Sequence, residues 1–151
     1  MMATMSAKWL LAGMCLGMVF AAGPVASASE PGPELAIKGY DTVAYFKLGK
    51  AVKGSESFTF RWHDMTWQFS SREHRDLFAA DPLQYAPQYD GYCAWAMTES
   101  RLSITDPEVW NIVEGKLYLN CSPEAFRKWS RDIPGHIRQA DAIWKEKFEK
   151  K

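Results

Sequence analysis

Cysteine is scarce in this chain of 151 residues. There are three cysteines, Cys15, Cys93 and Cys121, and no two of them have the C-x-x-C spacing. Small domains that depend on disulfide bridges carry more cysteines than this, so a disulfide framework is excluded. Dithiol exchange of the thioredoxin kind is excluded as well, unless the fold brings Cys121 beside Cys93. The core has to supply the stability.

A surplus of charge of one sign is also missing. The chain has 18 Lys and Arg against 18 Asp and Glu, so its formal net charge is zero. Proteins that bind nucleic acids or anionic membranes need excess positive charge to neutralise phosphates. A nucleic-acid partner is therefore not expected.

A long hydrophobic run is missing too. The apolar run from Trp9 to Ala22 is shorter than the roughly 18 residues that a transmembrane helix needs. It follows one basic residue, Lys8, and precedes the small residues of Ala26-Ser27-Ala28. This order of features is typical of a secretory signal peptide. We expect residues 1–28 to be removed on export.

The mature protein is then predicted to begin at Ser29, to be periplasmic or secreted, and to have no integral membrane span. Removal of the leader leaves about 120 residues, the usual size of one domain. The Pro-rich segment 29–36 is interpreted as a flexible tail, and residues 37–151 as the domain. No internal repeat is apparent in the sequence.

Apolar patterning predicts two β-hairpins and a further strand. Residues 58–69 alternate apolar and polar side chains on both sides of a polar turn, which is typical of a hairpin. Residues 110–119 predict a second hairpin that turns at Glu114-Gly115. The short apolar run from Val43 to Phe46 predicts a buried strand.

Capping residues predict the helices. Ser70 and Glu73 have capping-box spacing, so a helix should begin there and turn His74, Leu77 and Phe78 inward. A second helix is predicted to begin at Asp90 and to include Cys93 in its first turn.

Two more helices are predicted near the C-terminus. Ser122 and Pro123 are an N-cap and a first helical residue. Pro134-Gly135 is expected to end that helix, and a last helix should run from about His136. The sequence thus predicts a small single α+β domain with two β-hairpins and several short helices.

Several blocks, in this order, resemble the exported single-domain branch of the YHS domain family. They are KGYDTVAYF, FRW-x4-WQFSSREHRDLFAADPLQYAPQY, GYCAWA, DPEVWNIVEGKLYLN and W-x2-DIP, and together with the last helix they extend from Ile37 to Trp144. The resemblance implies a treble-clef-like core followed by C-terminal helices. It also implies a relationship to the heavy-metal trafficking and sensing superfamily.

The resemblance does not bring a complete metal site with it. Metal-binding members resemble D-P-V-C followed by F-C-S-x2-C-R-x2-F, and their three cysteines align with Ala44, Ser70 and His74 here. Of these, only His74 binds metals well, and a histidine on an apolar helix face is more often a hydrogen-bonded core residue. A structural zinc site needs four N or S ligands, so no structural zinc is expected.

Cys93 is the strongest candidate for a functional residue, because it lies in the GYCA block that resembles exported relatives. At a helix start, free N–H groups and the helix dipole favour a thiolate. Met97 would share a helix face with Cys93 as a second soft ligand. A buried, inert thiol is the alternative. Cys121 is interpreted as incidental.

Three functions follow from these residues. The first is a soft-metal binding or handling module, with copper as the metal and Cys93, His74 and Met97 as ligands. The second is a single-thiol redox protein, and the third is a metal-free binding or scaffold domain. The expected partner is a metal ion or an exported redox or metal-handling protein. No set of residues resembles a catalytic triad, which disfavours acyl-transfer catalysis.

Overall fold

The structure is a computed structural model and describes residues 34–149. The predicted signal peptide, the cleavage site before Ser29 and the first part of the predicted tail lie outside the described residues. Within them the chain forms four β-strands and six α-helices, in the order α1 (Thr42–Leu48), β1 (Ser55–Trp62), β2 (Met65–Phe69), α2 (Arg72–Ala80), α3 (Pro82–Tyr85), α4 (Ala94–Thr98), β3 (Asp106–Val113), β4 (Lys116–Asn120), α5 (Pro123–Trp129) and α6 (Ile133–Ile143). The predicted α+β class is confirmed. No helix in residues 34–149 has the length and apolar character to cross a membrane.

The folded region begins before the boundary predicted at Ile37. The carbonyl of Glu34 accepts a hydrogen bond from the Thr66 N–H at 2.9 Å, and Leu35 forms a parallel bridge with Thr66. Ala36 is only 2% exposed. Glu34, Leu35 and Ala36 therefore belong to the domain, because this segment forms backbone contacts with β2.

The strand predicted for Val43–Phe46 is wrong, because these residues lie in α1. The carboxylate of Asp41 accepts hydrogen bonds from the N–H groups of Val43 and Ala44, and such a cap starts a helix. Gly49, with a left-handed φ of 63°, ends it. The cap at Asp41 therefore outweighs the preference of these apolar residues for a strand, and Asp41 lies outside the run from which the strand was predicted.

Both predicted hairpins are confirmed. β1 and β2 pair antiparallel across a turn at His63-Asp64, and β3 and β4 across a turn at Glu114-Gly115. The central residues of both turns have positive φ, which suits the right-handed twist of a two-residue hairpin.

The helix after the first hairpin begins one residue later than predicted. Ser71, not Ser70, accepts the hydrogen bond from the His74 N–H, at 3.1 Å. His74 and Phe78 are buried as expected. Ser70 does not cap the helix, and its N–H and hydroxyl donate to Asp41 instead.

Asp90 does not begin the next helix. It has a left-handed φ of 51° in a tight turn that includes Tyr89, whereas an N-cap has extended backbone. The N-cap of α4 is Cys93 itself, whose Sγ accepts the Ala96 N–H.

One of the two C-terminal helix predictions is confirmed and the other is corrected. Ser122 caps α5 and Pro123 occupies its first position. Pro134-Gly135 does not separate the last two helices, because α6 already begins at Ile133 and Asp132 accepts the Gly135 N–H at 3.0 Å. A proline in the first helical turn has no backbone partner to lose.

The described residues contain an internal structural repeat, which corrects the interpretation that the sequence has none. We call residues 34–87 the first half and residues 88–149 the second half. Each half has a left-handed turn, a short helix, a hairpin with strands of 8 and 5 residues, and a helix capped by serine. A helix with an aspartate N-cap follows in both, α3 after Asp81 and α6 after Asp132. The two halves are structural counterparts.

The two halves share a core. One hydrophobic cluster of the first half includes Leu117 and Leu119 from β4 of the second half. The hydroxyl of Tyr45 in α1 donates to the carbonyl of Pro107 in β3 at 2.9 Å, and its ring meets Trp110 edge-on at 5.0 Å. A second cluster, within the second half, is built around Tyr118 and Trp129.

Candidate functional site

Two free cysteines lie side by side in the second half. Cys93 caps α4, and Cys121 follows directly after the last residue of β4. The Sγ of Cys93 accepts the Cys121 N–H at 3.2 Å and the Ala96 N–H at 3.5 Å. The fold therefore joins the start of α4 to the end of the second hairpin through a sulfur atom, and it places the two thiols at one site.

The Cys93 thiol is buried and protonated. Its residue has no exposed surface, and burial raises its pKa from the ordinary 9.0 to about 11. The Ala96 N–H lowers the pKa, while a hydrogen bond with the Cys121 thiol raises it. The raised pKa disfavours the thiolate that was predicted at a helix start, because desolvation outweighs the N–H donors.

Asn120 forms the polar wall of this site. It is fully buried, and its Oδ1 accepts the Trp95 N–H at 3.1 Å and the Cys93 thiol at 3.7 Å. Its Nδ2 has no hydrogen-bond partner among the described residues. Ala96 and Ala125 complete the surroundings, so the site combines two sulfur atoms and one amide in an apolar environment.

The first half has a carboxylate at the equivalent place. Asp41 has no exposed surface, and its Oδ2 accepts the Ser70 N–H at 2.8 Å, the Ser70 hydroxyl at 2.5 Å and His74 Nδ1 at 2.6 Å. Its Oδ1 accepts the N–H groups of Val43 and Ala44. Five hydrogen bonds thus converge on the buried carboxylate of Asp41.

Equivalent backbone groups are bound by different side chains in the two halves. Asp41 binds the N–H groups of Ala44 and Ser70, and Cys93 binds their counterparts on Ala96 and Cys121. Asp41 also binds the Val43 N–H, whose counterpart on Trp95 is bound by Asn120. Cys93 and Asn120 together thus do the structural work of Asp41.

The predicted metal ligands do not converge. His74 lies in the first half, bonded to Asp41 and in contact with Ser70 at 3.4 Å, whereas Cys93 lies in the second half. Met97 is one turn from Cys93 and fully buried, but it belongs to the hydrophobic cluster of Tyr118 and Trp129 and not to that of Cys93. The structure brings Cys93 together with Cys121 instead.

Cys121 was interpreted as incidental because it lies just before a helix cap and has no motif of its own, and its contact with Cys93 corrects that interpretation. One signal was available in the sequence. Each hairpin is followed by a two-residue segment that ends in a capping serine, Ser70-Ser71 in one case and Cys121-Ser122 in the other. An alignment of the two hairpins would have placed Cys121 opposite Ser70, a position that the YHS resemblance had already marked.

The chemistry open to this site is that of two sulfur ligands. Within residues 34–149 no group of three or more His, Cys, Asp or Glu side chains is arranged to hold a metal ion. Two adjacent cysteines can bind a soft ion in two-coordinate form or form a disulfide.

Comparison of the chain with protein-family models, with curated proteins and with solved structures gives no match.

Proposed function

We propose that this is an exported protein of the YHS type that binds Cu(I) through Cys93 and Cys121. The observation that carries the proposal is the contact between the two cysteines. The Cys121 N–H donates to Cys93 Sγ at 3.2 Å, and the two thiols are hydrogen-bonded to each other. Thiolates are soft ligands and select Cu(I) over harder divalent ions. The YHS resemblance, with its relationship to heavy-metal trafficking, supports the same metal.

The donor set fits Cu(I) better than zinc. A structural zinc ion is held by four N or S ligands, and the two cysteines have no histidine or carboxylate hydrogen-bonded to them among the described residues. The buried Cys93 thiol must lose its proton when the metal binds. Because its pKa is raised to about 11, Cu(I) affinity increases with pH throughout the neutral range.

The second candidate is a dithiol–disulfide couple, favoured by the contact between two free cysteines in a chain whose sequence predicts an export signal. The two thiols would lose two electrons and two protons to an external oxidant, such as the disulfide of a partner protein. The single-thiol redox function is disfavoured, because a buried thiol with a raised pKa is a poor nucleophile.

The test is a Cu(I) competition titration against a chromophoric chelator under reducing, anaerobic conditions. Cys93→Ser and Cys121→Ser should each lower the Cu(I) affinity by more than about 100-fold, since a single thiolate cannot retain the ion against a chelator. Met97→Leu and His74→Gln are the matched controls and should leave the affinity unchanged. Circular dichroism would verify that every variant is folded.

Other outcomes identify the other functions. Equal Cu(I) affinity in the parent and both cysteine variants would refute the copper proposal. If the parent does not bind Cu(I) but forms an intramolecular disulfide with glutathione disulfide, the redox couple is correct. If it does neither, the protein is a metal-free binding or scaffold domain.

A further inference from the structure

A cleft of about 670 Å³ is lined by neither of the two cysteines. Its walls come from three segments: the turn of the first hairpin, the segment from α3 through the left-handed turn of the second half, and the last turn of α6 with the residues that follow it. Clefts of this volume bind small molecules. The proposed thiol site does not account for this feature.

Aromatic rings form the apolar part of the cleft. Trp62 and Trp144 are half-buried and Tyr89 is buried, so each ring is held in place. Trp62 stacks on His63 with ring centroids 3.7 Å apart, and Tyr89 meets Trp144 at 5.9 Å. The electron-rich face of such rings attracts cations, and tryptophan does so most strongly.

The charged part of the cleft is mainly acidic. Four carboxylates line it, those of Asp64, Asp90, Asp141 and Glu149, against one lysine, Lys145. Oδ1 of Asp90 lies 3.5 Å from Nδ1 of His63. The other three carboxylates form no ion pair with a basic side chain in residues 34–149. A cleft lined by one sign of charge concentrates ions of the opposite sign.

Two further features of the cleft bear on what it can bind. Oδ1 of Asp141 accepts the Tyr89 hydroxyl at 2.8 Å, so this carboxylate is fixed beside the aromatic wall. Leu83 also lines the cleft, and 78% of its surface is exposed. The cleft thus offers a carboxylate beside aromatic rings, and a free apolar side chain.

We propose that this cleft binds a small organic ammonium compound. Its cationic head would lie against Trp144 and the carboxylate of Asp141, where ring and carboxylate attract it together. Its apolar body would contact Leu83. The site is independent of the thiol pair, so this proposal does not require that Cu(I) binds.

The first test compares choline with 3,3-dimethyl-1-butanol, in which a carbon replaces the quaternary nitrogen. Binding to the full exported chain is measured by tryptophan fluorescence and by NMR line broadening. Choline should bind at least about tenfold more tightly than its neutral isostere, because the two differ only in charge. Added salt should weaken choline binding and leave the isostere unaffected.

Variants locate the site. Trp144→Leu and Asp141→Asn should each weaken choline binding by about fivefold, and asparagine can still accept the Tyr89 hydroxyl. Glu56→Gln removes an exposed carboxylate of β1 that does not line the cleft and should change nothing. Cys93→Ser should also bind choline normally.

Three results would overturn the proposal. They are the absence of choline binding, equal binding of choline and 3,3-dimethyl-1-butanol, and equal losses in Glu56→Gln and Asp141→Asn. Loss of Cu(I) binding with choline binding intact would count against the copper site alone.

Discussion

Asp41 and Cys93 occupy equivalent places in the two halves, but one is a carboxylate and the other is a neutral thiol. The carboxylate of Asp41 accepts five hydrogen bonds, from Val43, Ala44, His74 and twice from Ser70. The thiol of Cys93 accepts two N–H groups while staying neutral. The first half therefore has a strongly hydrogen-bonded carboxylate at this place, and the second half has a neutral thiol.

Replacement of Asp41 by alanine should destabilise the protein by at least about 3 kcal/mol, because it leaves several buried donors without an acceptor. The free energy of unfolding is measured by urea denaturation. Asp81→Ala is the control, since Asp81 is an exposed N-cap whose loss costs about 1 kcal/mol. Similar losses in the two variants would show that the Asp41 network contributes no more than an ordinary cap.

The raised pKa of Cys93 predicts alkaline destabilisation. Below pH 9.0 the thiol is protonated in both states, so its contribution is fully retained, and it is lost as the pH rises towards 11 because the unfolded state releases its proton first. Between about pH 8 and pH 10 the wild type should lose about 1 kcal/mol more than Cys93→Ser. Urea denaturation at each pH measures the difference. Parallel pH profiles would contradict the burial of a neutral thiol.

At the scale of single elements, the caps decide where helices begin. The sequence correctly predicts Ser122 as the cap of α5, but it selects Ser70 instead of Ser71 for α2, because adjacent serines have the same local chemistry. The long-range acceptor Asp41 separates their roles. Ser70 binds Asp41, and Ser71 is left to cap the helix.

This division of roles predicts unequal effects of two adjacent substitutions. Ser71→Ala removes an N-cap and should lower the free energy of unfolding by about 1 kcal/mol. Ser70→Ala removes a hydrogen bond to a buried carboxylate and should lower it by about 2 kcal/mol. Ser122→Ala, in the equivalent cap of the second half, is the matched control for Ser71→Ala. A smaller effect at Ser70 than at Ser71 would contradict the predicted contribution of the hydrogen bond from Ser70 to Asp41.

At the scale of the whole molecule, the two halves are interdependent. Leu117 and Leu119 of the second half complete the hydrophobic cluster of the first, and Tyr45 bonds across to Pro107. A half that is cut away would expose this surface to water. Apolar burial in so small a fragment does not compensate for chain entropy.

The described domain should therefore unfold in a single cooperative transition. Near-ultraviolet and far-ultraviolet circular dichroism should give the same melting temperature, since core packing and secondary structure are lost together. A fragment of residues 34–87 should show no cooperative transition, with the intact chain measured in parallel as the control. Two separate transitions, or a cooperatively melting fragment, would show that the halves fold alone.

The sequence by itself determined the α+β class, both hairpins, the inward face of α2 and the start of α5. Each of these features follows from residues that are close together in the sequence: apolar and polar side chains that alternate in a strand, apolar side chains at helical spacing, or a capping residue. The predicted strand at Val43–Phe46 failed because its apolar run carries no sign of the cap at Asp41.

Only the tertiary structure decided the candidate site. The contact of Cys93 with Cys121, the bond of His74 to Asp41 and the repeat of the two halves all join residues far apart in sequence. The repeat is difficult to recognise in the sequence because the acceptor side chains differ: one carboxylate in the first half is replaced by a thiol and an amide, Cys93 and Asn120, in the second. Equivalent backbone N–H groups need an acceptor when they are buried, but they do not specify which side chain supplies it.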